Sequence, residues 1–145
     1  MFNYELNQSR LNGGQRVPRT TVDRTLRACE KALRVRKAVP LSIAFVSEKE
    51  MRALNKTWRG KDKVTDVLSF GDVRNGDAGE IILSFEQAAR QAKEMGHSTR
   101  DEIVFLLVHG VLHLYGYDHL KPTDAKKMFP LQTKILNSLG VDPRI

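Results

Sequence analysis

Apolar and polar positions alternate at the start of the chain, with Phe2, Tyr4 and Leu6 on one side and Asn3, Glu5 and Asn7 on the other. A period of two predicts a half-buried first strand. Asn12-Gly13-Gly14 marks a loop, and the period then changes. From Thr21, the apolar residues Val22, Leu26, Cys29 and Leu33 recur at helical spacing, so an amphipathic helix is expected with its arginines facing outward. Pro40 precedes the β-rich run Leu41-Ser42-Ile43-Ala44-Phe45-Val46, read as a second strand. Ser47 with Glu50 three residues on is a capping box that opens a helix to about Thr57.

A basic loop, Trp58-Arg59-Gly60-Lys61-Asp62-Lys63, leads to a third strand over Asp66-Val67-Leu68-Ser69-Phe70. Trp58, large and at a helix end, is expected to pack into the core rather than to stack a base. The turn-rich stretch Gly71 to Asp77 contains Asn75-Gly76, a hairpin signal, so the fourth strand Glu80 to Ser84 should lie antiparallel to the third. A helix starting at Ser84 or Phe85 ends near Gly96. Ser98 or Thr99 can cap a central helix whose run Ile103 to Val108 is apolar on every side, which places it in the core. Pro122-Thr123-Asp124 begins a final helix to about Ser138, with Pro130 expected to kink it. These elements predict an α+β fold: a single domain over residues 1–145, with an about four-stranded mixed sheet packed with helices.

Composition changes this picture little. A chain of 145 residues can bury a sizeable core without staples. The single cysteine, Cys29, has no disulfide partner within the chain and falls on an apolar stripe, so it reads as core. The first residues lack the basic and apolar regions of a signal peptide, and no apolar run approaches the roughly 20 residues that span a bilayer. A cytoplasmic protein with no membrane partner is expected. Charge says more. Residues 1–37 carry nine Lys/Arg against three acidic residues, and residues 48–63 carry six against three, within a net charge of +7. Such a basic face favours a polyanion, nucleic acid above all, or else is simply a solvated helix surface.

The chemistry concentrates in His109-Gly110-Val111-Leu112-His113-Leu114-Tyr115-Gly116-Tyr117-Asp118-His119, which holds three of the four histidines. Residues four apart on a helix lie roughly 40° apart around its axis and about 6 Å along it. His109 and His113 can therefore reach one ion from the same face of the central, buried helix. Gly116 is a natural left-handed stop that can bring His119 round as a third ligand. Three imidazoles leave one tetrahedral position of a zinc ion open for water, the arrangement of a catalytic site. A zinc protease has a glutamate after its first histidine as general base; here that residue is Gly110, which argues for a metallohydrolase with another substrate. Asp118 is a candidate to orient a ligand from behind or to cap the turn.

Two segments resemble the signatures of the YbeY family. One is Leu54-Asn55-Lys56-Thr57-Trp58-Arg59-Gly60-Lys61-Asp62 with Thr65-Asp66-Val67-Leu68-Ser69-Phe70; the other is the histidine stretch itself. The resemblance covers nearly the whole chain. It implies a bacterial single-strand endoribonuclease that matures ribosomal RNA, notably the 3′ end of the small-subunit 16S RNA, and takes part in ribosome quality control. It also implies that His109, His113 and His119 bind one Zn²⁺ per chain, and that Arg59 is the essential arginine. Small-subunit proteins and assembly factors are the expected partners beside RNA. Val64 and Gly71 stand where the family commonly has proline, and Glu80 where it has aspartate.

The residues fit that reading on their own terms. Zinc lowers the pKa of bound water to about 7 without a glutamate base. Arg59 offers a planar fork for a phosphodiester, and Lys61 and Lys63 are candidate contacts to the RNA backbone. Two other readings are a metalloprotease-like peptidase, disfavoured by Gly110, and a ribosome-assembly factor that binds RNA around a purely structural zinc.

Overall fold

Alternation and helical spacing resolve into the expected layers in a computed structural model that describes residues 1–143. The strands are β1 (Phe2–Asn7), β2 (Val39–Val46), β3 (Val67–Phe70) and β4 (Gly79–Ser84). They form one sheet in the order β1-β2-β4-β3. β1 and β4 run parallel to β2, and β3 runs antiparallel to β4 with Ser69 opposite Ile81 and Phe70 opposite Glu80. The hairpin expected from Asn75-Gly76 is therefore present, with a 3₁₀ turn at Val73–Asn75 in its longer connection.

The helices are α1 (Arg19–Leu33), α2 (Glu48–Arg59), α3 (Phe85–Met95), α4 (Thr99–Leu114) and α5 (Pro122–Ser138). The capping box of α2 is formed as read: Ser47 Oγ accepts from the Glu50 amide, and Glu50 Oε1 accepts from the Ser47 amide. The end of α2 differs from the reading. The helix continues through Trp58 and Arg59 and stops at Gly60, whose φ of 70° supplies the left-handed cap. Helix α5 runs across Pro130 as one element. The carbonyl that Pro130 leaves without a donor belongs to Lys126, and both residues are exposed, so water can serve it.

α4 is the axis of the molecule. Every residue from Glu102 to Val108 is buried, as a helix without a polar face must be. It packs on β3 and β4 and is surrounded by α1, α3 and α5. Gly110 is a point of close approach: a Cβ there would lie 3.1 Å from Ser69 Oγ and 3.2 Å from Ile81. α2 lies on the opposite face of the sheet, where Met51, Leu68 and Ile82 form a smaller apolar cluster. Cys29 is fully buried in the main core, and burial pushes its thiol pKa up to about 12, which leaves it no role as a nucleophile. Among the described residues no helix is long and apolar enough to cross a membrane.

Candidate metal centre

The last two turns of α4 present His109 and His113, and the reversal after them presents His119. Gly116, at φ 85°, turns the chain as expected. The Tyr117 amide donates to the Leu112 carbonyl, closing the helix end. Asp118 then fixes the next step: its Oδ1 accepts from the amides of His119 (2.6 Å) and Leu120 (3.1 Å). Of the two roles open to Asp118, the structure displays the capping of the turn that carries His119. Burial opposes ionisation of this carboxyl, but those two amides and the neighbouring imidazoles hold its pKa below the usual carboxylate value.

The three rings converge. Their ligand atoms all lie within 4.8 Å of one another, and among the described residues this is the group of side chains that could hold a metal ion. His109 and His113 face each other with Nε2 atoms 2.9 Å apart. The other ring nitrogens explain why this matters. His109 Nδ1 donates to Oε1 of Gln132, a residue of α5 that is 1% exposed, at 2.8 Å. That fixes the tautomer and leaves the Nε2 lone pair pointing inward. His113 has a hydrogen bond with the Tyr117 backbone that favours its charged form, as donation to a carbonyl does. Two lone pairs thus face each other in a half-buried site, an arrangement that a cation between them satisfies.

Electrostatics point the same way. Burial, reinforced by His113 and His119, depresses the His109 pKa to about 4 although Gln132 works against the shift. His113 is lowered too, first by burial and then by His119 and Arg59. Rings held neutral are rings ready to ligate. Phe105, one turn earlier on α4, stacks on His109 at 6.1 Å between centroids, and His119 is exposed on the open side.

Arg59 reaches this centre from the end of α2. Its Nη2 donates to the Ser69 carbonyl at 2.7 Å, its guanidinium lies 4.7 Å over the Phe70 ring, and Ser69 Oγ donates to the Gly110 carbonyl at 3.1 Å. β3 therefore links the arginine to the metal-site helix. Lys61 and Lys63 follow on an exposed loop pinned by buried Asn55, whose side-chain amide donates to the Lys63 carbonyl at 3.0 Å. Trp58 is not core, as expected from its size, but 62% exposed beside Phe70. Glu80 sits opposite Phe70 on the face of the sheet away from α4, so it takes no part in the histidine cluster. Gln132 escaped the sequence reading; the signal was a glutamine within the apolar stripe Met128, Ile135 and Leu136 of α5.

The sequence pattern of the family described as Endoribonuclease YbeY matches residues 3–140. The chain belongs to the YbeY family. YbeY proteins named Endoribonuclease YbeY from Bacillus pumilus and Listeria monocytogenes are 39% and 36% identical to it. Those two alignments each take in 83% of this chain, and 84% and 86% of the relatives. The YbeY protein of Myxococcus xanthus is 44% identical over 71% of this chain, which spans 37% of that longer relative. A solution structure of a Thermotoga maritima protein shares this YbeY chain's fold at a TM-score of 0.62 and 26% identity, covering 97% of this chain and 92% of the other.

Proposed function

We propose that the protein is a zinc-dependent endoribonuclease that cuts single-stranded ribosomal RNA, matures the 3′ end of 16S RNA in the cytoplasm, and works there with small-subunit proteins and assembly factors. The relatives' shared name supports the reaction. The observation that carries the metal dependence is the pair of imidazole nitrogens 2.9 Å apart with His119 exposed beside them. In this reading His109, His113 and His119 hold one Zn²⁺ on three ligands, and a site with three protein ligands is a catalytic one. When bound, the ion supplies a Lewis acid and a water of lowered pKa.

The chain's own groups do the rest. Gln132 holds the His109 tautomer, and Asp118 holds the turn that presents His119. Arg59 makes charge-assisted hydrogen bonds to the scissile phosphate's non-bridging oxygens, which gain charge in the transition state. Lys61, Lys63 and the exposed N-terminal arginines neutralise further phosphates along the strand. Gly110 leaves no general base of the protease kind, consistent with a phosphodiester rather than a peptide substrate.

Parallel assays of Arg59→Ala and His113→Ala on purified single-stranded RNA test the reading. Arg59→Ala should retain its zinc and its Tm while cleavage falls about 10²- to 10³-fold, as for loss of one preorganised donor. His113→Ala should lose both zinc and cleavage. Undiminished cleavage by Arg59→Ala would remove that residue from the mechanism. Absence of cleavage in zinc-loaded wild type would leave an RNA-binding assembly factor with a structural zinc.

A further inference from the structure

We infer that Trp58 is a stacking platform for an unpaired base of the bound strand, next to the nucleotide whose phosphate Arg59 holds. The inference rests on the RNA reading proposed above and adds to it a reason for single-strand preference. Trp58 is the chain's one tryptophan, and it stands 62% exposed at the end of a helix otherwise rich in charge. So large an aromatic ring, open to solvent, is free to be covered by something else.

Its surroundings say what. The indole meets Phe70 in a T-shaped contact, centroids 6.1 Å apart and planes at 67°, so at most one of its faces is engaged. Phe70 in turn has the Arg59 guanidinium 4.7 Å over its ring. Trp58 and Arg59 thus flank a single phenyl ring, with Lys56 in the turn before and Lys61 just after. An open π-face set among cations, beside an arginine tied through Ser69 to the metal-site helix, matches the chemistry of a nucleotide: base on the ring, phosphates on the charges. A paired base keeps its faces within the duplex and cannot use the platform.

Because the chain has one tryptophan, its fluorescence reports on this residue alone. Zinc-loaded wild type should show quenching within the dead time before cleavage when mixed with a single-stranded oligoribonucleotide. An abasic oligomer of equal charge, or a blunt RNA duplex, should quench little. Trp58→Ala should bind labelled single strands ~10-fold more weakly, while Trp58→Phe stays within ~3-fold of wild type. Both should keep wild-type zinc content and Tm, and the slope of affinity against salt should not change, since no phosphate contact is removed.

Equal quenching by abasic and normal strands would overturn the proposal, and so would unchanged affinity of Trp58→Ala. Silence toward RNA together with an emission shift on adding RNA-free small-subunit proteins would also overturn it, by making the patch a protein contact. If wild type cuts RNA while the indole stays silent, the platform fails and the nuclease stands. If the indole responds but zinc-loaded enzyme cuts nothing, the nuclease fails and the platform stands.

Discussion

Helix α4 has a histidine site near each end, and the two are built on opposite terms. At its N-terminal end His97 Nε2 lies 2.6 Å from Oε1 of Glu102, a carboxylate with no exposure at all. Gln91 Nε2 donates to Glu102 Oε2 and to Asp66 Oδ2, each at 3.0 Å, so α3, α4 and the residue just before β3 are tied by one polar network. At its C-terminal end, among the described residues, no carboxylate is hydrogen-bonded to a ring. His109 and His113 turn toward each other and toward His119, with an amide and a backbone group behind them. A carboxylate completes the first imidazole and makes it structural. Imidazoles that face only imidazoles remain incomplete, and that is what suits them to an ion.

Substitutions can break this contrast. The largest effect is expected at His113: alanine there should abolish stoichiometric zinc and cut RNA cleavage by ~10³-fold or more, whereas His97→Ala should keep its zinc. Metal analysis beside a cleavage assay reads both, and zinc loss from His97→Ala would erase the distinction. Next comes Glu102→Ala, which removes the buried carboxylate from its partners and should cost about 3–5 kcal/mol in urea unfolding with zinc content unchanged.

pH sharpens the comparison in metal-stripped protein. The folded His109 pKa of about 4 lies below its ordinary value near 6.5, so the unfolded chain binds the extra proton between those limits. Stability from this residue is present above pH 6.5 and is lost as pH falls to 4, by about 3 kcal/mol in all. A His109→Gln variant should flatten that slope, and an unchanged slope would assign the proton elsewhere. The smallest effect is expected for Gln132→Leu, with zinc affinity falling ~10- to 100-fold and unfolding hardly altered. Competition with a chromogenic chelator measures it.

Much of this was legible in the sequence, for reasons that differ by residue. The order of strands and helices followed from period and capping, because Ser47, Glu50, Gly96 and Ser98 act on their immediate neighbours. The histidines were legible because helical spacing and Gly116 put them together locally. Gln132 was not: it lies 23 residues from His109, and only the packing of α5 on α4 joins them. Trp58 was misjudged because residue type sets an average burial, while the continuation of α2 to Gly60 sets the direction of this side chain. Glu80 needed the register of β3 against β4 before its face of the sheet could be known.

The tight seam at Gly110 has a consequence for what this scaffold can become. Even one added carbon would meet Ser69 Oγ and the Ile81 side chain at 3.1–3.3 Å, so any side chain at this position requires those two neighbours to give by a few tenths of an ångström. A glutamate of the protease kind would therefore have to arrive together with a repacking of Ser69 and Ile81 on the neighbouring strands.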